Sequence, residues 1–137
     1  LHILLLASAI DNNGSLMTPY LIDSVKNTDG EVIKTYSPAV WGDLLTAQEA
    51  FFLEDYMRAV VTDGTGSKLD CEEYTAYGKT GTAQVSDTTD QTNAWFAGYA
   101  KSDGKEDIAV AVIVEDSGSG SRYAVPAAKK IFDAYFE

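Results

Sequence analysis

The sequence predicts an α+β fold in which a short antiparallel sheet and a separate hairpin pack with helices. Apolar residues recur at helical spacing near the start, the middle and the end of the chain. Three β-prone segments joined by short connections follow one another in the second half, and an Asp-Gly pair lies between two further β-prone runs. With 137 residues, 45% of them hydrophobic, the chain is long enough for one domain with a moderate core.

Helical spacing places three helices at about Leu1–Ile10, Ala47–Thr62 and Ala124–Tyr135. The first helix should end at Asn13-Gly14, because both residues tolerate positive φ. The second should begin at a capping box made by Thr46 and Glu49. Pro126 is expected in the first turn of the third helix, where a missing N–H does no harm.

The β-prone runs define five strands, at Tyr20–Lys26, Glu31–Tyr36, Tyr74–Val85, Asn93–Ala100 and Asp107–Glu115. The first two flank Asp29-Gly30, which predicts a hairpin. Short connections, including the polar loop Ser86–Thr92, make the last three strands antiparallel neighbours. The apolar core of the final strand predicts burial on both faces, as in a central strand.

Composition excludes several classes of protein. A formal net charge of −11 repels phosphate backbones, so nucleic acid is not an expected partner. Cys71 is the one cysteine and His2 the one histidine, so neither a disulfide within the chain nor a metal or cofactor site is expected. The chain does not start with Met and opens inside an apolar helical pattern, which indicates a piece of a longer protein.

The most informative segment for function is the third predicted strand. There Gly78 and Gly81 flank Lys79 and Thr80, and Thr82 follows. Glycine inside a strand is costly and is kept where another backbone or a ligand must come close. A strand edge with a cation, two hydroxyls and backbone N–H groups can bind a carboxylate and a carbonyl oxygen.

The run Lys79-Thr80-Gly81-Thr82-Ala83 resembles the third motif of the penicillin-binding proteins and serine β-lactamases, and its last two residues resemble the transpeptidase form. Three other stretches are similar to parts of the same family: Asn13-Gly14 with Pro19-Tyr20-Leu21, Gly64-Thr65-Gly66, and Asn93–Tyr99. The resemblance extends over residues 1–137. It implies the C-terminal portion of a penicillin-binding transpeptidase domain, with a partial β-lactamase/transpeptidase-like fold.

The resemblance also implies a function for the complete protein. It would be a peptidoglycan D,D-transpeptidase that cross-links D-Ala-D-Ala stem peptides through a serine acyl-enzyme, binds β-lactams, and is membrane-anchored on the cell-wall side. Lys79, Thr80, Gly81 and Thr82 would bind the substrate, and the Thr82 backbone N–H would form part of the oxyanion hole.

The family's first two motifs, Ser-x-x-Lys and Ser-x-Asn, precede Lys-Thr-Gly. This chain has no Ser-x-Asn, and its one Ser-x-x-Lys, Ser102–Lys105, follows Lys79 and contains an Asp-Gly turn. A serine in an exposed turn has no buried lysine to take its proton. We therefore expect the nucleophile to lie in an N-terminal portion of the domain that this chain lacks, and the isolated chain to be inactive.

Several alternatives remain open at this level. Two alternatives to a transpeptidase are that the complete protein is a β-lactam sensor, or a non-catalytic scaffold or interaction module of the same fold. Lys79 would be an ordinary strand lysine, Gly81 would mark a bulge, and Gly64-Thr65-Gly66 is most simply a turn after a helix. Apolar surfaces left uncovered by the missing portion predict self-association of the fragment.

Overall fold

The computed structural model describes residues 1–85 and 90–137, so most of the predicted polar loop Ser86–Thr92 lies outside the described residues. The helices are α1 (His2–Asp11), α2 (Ala47–Thr62) and α3 (Gly120–Phe136), and a short 3-10 helix, Ser67–Leu69, follows α2. The strands are β1 (Ser15–Met17), β2 (Ser24–Lys26), β3 (Val32–Thr35), β4 (Val40–Asp43), β5 (Thr75–Gln84), β6 (Thr92–Lys101) and β7 (Ile108–Val114). The α+β class is confirmed.

The last three strands form an antiparallel sheet in the order β5-β6-β7. The prediction that the apolar strand β7 is central and buried on both faces is wrong. Within the described residues β7 pairs only with β6, and Ala111 and Ile113 on one of its faces are exposed. The central strand is β6, because position in a sheet depends on pairing partners and not on the hydrophobicity of a single strand.

Two small ribbons precede α2. β2 and β3 form the predicted hairpin, and Gly30 adopts φ of +86° in its turn. β1 and β4 also pair antiparallel, with Ser15 opposite Asp43, and this second ribbon was not predicted. Its strands are only three and four residues long, which leaves too little alternation to recognise in a sequence.

Local sequence signals predict the start of α2 correctly, but not the start of α3. The capping box of α2 is present: Thr46 Oγ1 accepts from the N–H of Glu49 at 3.3 Å, and the N–H of Thr46 donates to Glu49 Oε2 at 2.8 Å. α3 begins at Gly120, earlier than predicted, so Pro126 lies inside the helix. The Gly/Ser composition before Ala124 favoured a loop, but packing against the sheet makes it helical.

The core lies between the three-stranded sheet and α3, where Phe96, Val125 and Phe132 are fully buried. Val61 of α2 and Leu69 of the 3-10 helix extend this core along the sheet. None of the helices in residues 1–85 and 90–137 is long and apolar enough to cross a membrane. The core fixes β5 against β6, and β5 carries the candidate site.

Candidate functional site

Strand β5 lies at the edge of the sheet. It pairs with β6 along its whole length, and no strand in the described part of the chain pairs with its other edge. The N–H of Val85 donates to the carbonyl of Gln91 at 3.0 Å, whereas the carbonyl of Ala76 accepts from Arg58 Nη1 of α2 at 3.1 Å. Because backbone groups alternate between the two edges, those of Thr80 and Thr82 point, like those of Ala76, to the edge without a strand partner.

The side chain of Lys79 lies on the opposite face of β5 from the threonine hydroxyls. Lys79 is exposed, and its Nζ donates to the carbonyl oxygen of Thr80 at 2.7 Å. Beside it runs an open, mainly apolar groove of about 440 Å³, which has these lining residues: Ile3, Lys79, Thr80, Gly81, Ala83, Trp95, Phe96 and Ala97. A cation at one side of an apolar groove suits a ligand with a carboxylate on an apolar body.

The hydroxyls of Thr80 and Thr82 are each contacted by another element. Thr80 Oγ1 lies 2.6 Å from Thr65 Oγ1, in the turn that follows α2. Thr82 Oγ1 accepts from the N–H of Gly120, the first residue of α3, at 3.4 Å. Thr65 and Gly120 were not predicted as site residues. The Gly-Thr-Gly turn was a signal for Thr65, but nothing in the sequence indicated Gly120.

The pairing around Gly81 is regular. Gly81 lies opposite Trp95 in an uninterrupted register, so the bulge considered from the sequence is wrong. A Cβ added to Gly81 would lie 3.3 Å from Trp95 Cβ. A Cβ added to Gly120 would lie 2.4 Å from the Trp95 carbonyl oxygen and 2.6 Å from that of Gly81. The absence of a side chain at Gly120 therefore lets the start of α3 pack directly on the strand backbone.

An ionic cluster holds the other end of the strand pair. Lys101 Nζ lies 3.0 Å from Asp11 Oδ1 and 3.0 Å from Glu54 Oε1, which joins β6 to α1 and α2. Burial raises the pKa of Asp11, although the ion pair with Lys101 opposes that rise. Burial alone would lower the pKa of Lys101, but the hydrogen bonds to Asp11 and Glu54 outweigh it and the pKa is raised. The Lys101 ammonium group is held by these two carboxylates, whereas Lys79 is exposed beside the groove.

The single Ser-x-x-Lys of the chain forms a turn, as predicted. The N–H of Lys105 lies 3.4 Å from the carbonyl of Ser102, and Gly104 adopts φ of +82°. Ser102 Oγ donates to the Glu73 carbonyl at 3.0 Å, and Lys105 Nζ donates to the Tyr135 carbonyl at 2.9 Å. The two side chains bind different partners, so they do not form a nucleophile and base pair.

No group of three or more His, Cys, Asp and Glu side chains in residues 1–85 and 90–137 is arranged to hold a metal ion. The chemical groups that β5 offers at the site are the Lys79 cation, the hydroxyls of Thr80 and Thr82, and the backbone of its open edge. They suit the binding of a peptide-like ligand with a carboxylate, by strand addition and charge.

The family model for the penicillin-binding protein transpeptidase domain matches residues 1–136. The chain belongs to the penicillin-binding protein transpeptidase family. This membership confirms the resemblance that the Lys-Thr-Gly-Thr segment indicated.

Two curated relatives support this family membership. The chain is 33% identical to the peptidoglycan D,D-transpeptidase MrdA of Haemophilus influenzae, over 90% of this chain and 21% of that protein. It is 36% identical to the peptidoglycan D,D-transpeptidase PbpA of Mycolicibacterium smegmatis, over 82% of this chain and 23% of that protein. The chain thus spans about a fifth of the length of these curated relatives.

Solved structures share the fold. The D,D-transpeptidase domain of a peptidoglycan glycosyltransferase from Eggerthella lenta aligns with a TM-score of 0.83 at 30% identity, over 95% of this chain and 30% of that one. The ceftriaxone acyl-enzyme complex of penicillin-binding protein A from M. tuberculosis aligns with a TM-score of 0.85 at 26% identity, over 98% of this chain and 31% of that one. The expected partial transpeptidase fold is confirmed.

Proposed function

We propose that this chain is the portion of a peptidoglycan D,D-transpeptidase that carries the substrate-binding strand. One observation carries the proposal: in a member of this family, β5 presents Lys79, Thr80 and Thr82 along a sheet edge that has no strand partner in the described residues. An open strand edge binds an extended peptide through its backbone, and the adjacent side chains then select that peptide.

In the proposed reaction a serine outside this chain attacks the carbonyl of the D-Ala-D-Ala peptide bond of a stem peptide. D-Alanine leaves, an acyl-enzyme remains, and an amine of a neighbouring stem peptide takes the acyl group. β-Lactams would acylate the same serine. Penicillin-binding protein A from M. tuberculosis, which forms an acyl-enzyme with ceftriaxone, supports this extension.

Within that reaction the residues of β5 have separate roles. Lys79 Nζ reaches the Thr80 carbonyl at the open edge of β5, so the Lys79 cation and the hydroxyls of Thr80 and Thr82 bind the substrate carboxylate at that edge. Gly81 lets the substrate backbone lie along the strand. The Thr82 N–H donates to the oxyanion that develops on the attacked carbonyl. Such a donor is aimed at charge that appears in the transition state, and losing one typically costs about 3–4 kcal/mol.

The rest of the domain would cover the surfaces that this chain leaves open. Leu21, Trp41 and Tyr56 are each more than half exposed, and apolar surface of this kind is usually covered by a partner. Since the chain spans about a fifth of its relatives, we propose that the N-terminal portion of the same domain is that partner. We also propose that the complete protein is membrane-anchored and faces the cell wall.

Replacing Lys79 with Met in the complete protein tests the proposal. The substitution removes the cation but keeps a long apolar side chain, so the rate constant for acylation by a fluorescent penicillin should fall by at least about tenfold. Lys26→Met is the matched control, because Lys26 is an exposed strand lysine in the β2–β3 hairpin. Equal acylation of the Lys79 variant and the control would contradict the proposed role.

The isolated 137-residue chain provides a second test. We expect no covalent adduct with the same fluorescent penicillin, because its one Ser-x-x-Lys lies in a turn where the serine and lysine bind different partners. Labelling that disappears when Ser102 or any other serine is replaced would show that the nucleophile is in this chain.

A further inference from the structure

We propose that Thr65 is a positioning residue that directs the Thr80 hydroxyl at the substrate carboxylate. This inference rests on the proposed function, in which Thr80 binds that carboxylate. Its starting point is the contact of 2.6 Å between Thr65 Oγ1 and Thr80 Oγ1, a short distance for two hydroxyl groups. The contact joins the turn after α2 to the substrate-binding strand.

The chemistry of the ligand fixes the direction of this hydrogen bond. An ionised carboxylate can only accept hydrogen bonds, and a hydroxyl has one hydrogen to donate. When Thr80 donates to the carboxylate, its hydrogen is no longer available to Thr65. Thr65 must then donate to Thr80 Oγ1. That donation holds the Thr80 oxygen in place and leaves its O–H available to the ligand.

The backbone around Thr65 is held in place, so Thr65 can act as a fixed donor. The N–H of Gly66 donates to the carbonyl of Val60 at 2.9 Å. A Cβ added to Gly64 would lie 2.9 Å from the Val60 carbonyl oxygen, and one added to Gly66 would lie 3.2 Å from it. The two glycines therefore let the turn fold back closely onto the end of α2.

The end of α2 is in turn attached to β5. Arg58 Nη1 donates to the carbonyl of Ala76 at 3.1 Å, and Arg58 Nη2 donates to Asp70 Oδ1 at 2.8 Å. The carbonyl of Ala76 points to the open edge of β5, and so do the backbone groups of Thr80, four residues further along the strand. The helix and its following turn therefore contact β5 at two points, and the second point is the pair of hydroxyls.

The test uses Thr65→Val in the complete protein, because valine keeps the β-branched shape and removes only the hydroxyl. The measured quantities are the apparent binding constant and the limiting acylation rate, for benzylpenicillin and for its methyl ester. Loss of one hydrogen bond should weaken binding of the acid about 3- to 10-fold. The ester, which lacks the carboxylate charge, should change by less than about twofold, and so should the limiting rate.

Three further variants make the test specific. Thr65→Ser keeps the hydroxyl and should bind the acid within about twofold of the wild type. Thr75→Val, at an exposed threonine of the same strand, should behave as the wild type. In a Thr80→Val background, Thr65→Val should have no further effect, because the hydroxyl that it positions is absent.

If Thr65→Val weakens binding of the acid and of the ester equally, the role of Thr65 is a general structural one and the assignment is overturned. The same conclusion follows if Thr65→Val keeps its full effect in the Thr80→Val background. If the wild type is acylated and Thr65→Val binds the acid as the wild type does, the positioning role alone is refuted. A wild type that forms no adduct would refute the proposed function and, with it, this inference. If Thr65→Val fails to fold, the acid-to-ester ratio of Thr65→Ser and Thr65→Ala decides, since only alanine should lower it.

Discussion

The sheet region, residues 74–137, and the ribbon region, residues 15–43, are built differently. In the sheet region Phe96, Tyr99 and Phe132 have no exposed surface, and they lie between strands and helices. In the ribbon region every residue of β3 is exposed, and Leu21 is fully so. Both regions contain β-strands with apolar residues, but only the first has a core of its own.

This difference explains where the candidate site lies. A two-stranded ribbon has little stability alone, whereas three strands with a helix packed on one face are stable. The Lys79–Thr82 segment is in the sheet region, paired with β6 and packed under α3. The side chains that would bind substrate are therefore held by the best-packed part of the chain, and the ribbons need another surface to cover them.

The largest expected difference between the two regions comes from removing a large apolar side chain in each. Phe132→Ala should lower the free energy of unfolding by about 3–5 kcal/mol, because Phe132 is fully buried against Phe96 and Tyr74. Ile33→Ala, in the exposed strand β3, should change it by no more than about 0.5 kcal/mol. Chemical denaturation measures both, and similar losses would mean that the ribbon has a packed core after all.

Lys101→Met tests the ionic cluster that joins the sheet region to α1 and α2. The variant leaves Asp11 half-buried without its cation, so we expect a loss of about 2 kcal/mol at pH 7. Lys130→Met, at an exposed lysine of α3, is the control and should change little.

The pH dependence of this variant follows from Asp11. Burial raises the pKa of Asp11 in the folded state, so the folded state binds this proton more tightly than the unfolded state. The contribution of Asp11 to stability therefore increases as the pH falls through its folded pKa. Without Lys101 the pKa rises further, and the stability deficit of Lys101→Met should shrink as the pH is lowered from 7 toward about 4. A deficit that stays constant across this range would exclude Asp11 as its cause.

The smallest expected loss of stability comes from removing the cap at the start of α2, the helix that follows the ribbons and precedes the sheet. Thr46→Ala removes the hydroxyl that accepts from the Glu49 N–H, and a lost cap of this kind costs about 1 kcal/mol. Thr28→Ala, in the exposed turn of the ribbon region, should cost less than about 0.5 kcal/mol. Thermal unfolding of the two variants side by side measures this difference, and equal midpoints would show that the capping box does not stabilise α2.

Local signals in the sequence account for the elements that were predicted well. The capping box predicted the start of α2, and the Asp-Gly pair predicted the β2–β3 hairpin. Both signals work because caps and turns depend on residues within a few positions of each other. The β1–β4 pairing joins Ser15 to Asp43 across the hairpin, so no local pattern indicates it. The start of α3 depends on how closely Gly120 approaches Gly81 and Trp95, which is also a contact between distant residues.

The sequence by itself determined the strand that carries Lys79, Thr80, Gly81 and Thr82. Glycines inside a β-prone run indicate the close approach of a ligand or backbone, and a neighbouring cation and hydroxyls indicate a carboxylate as ligand. Only the tertiary structure decided which edge of that strand is open and which elements contact its hydroxyls. The partners, Thr65 and Gly120, lie 15 and 38 residues from the threonines that they contact. A strand displays its side chains by local geometry, but the neighbours of those side chains are set by the packing of helices against the sheet.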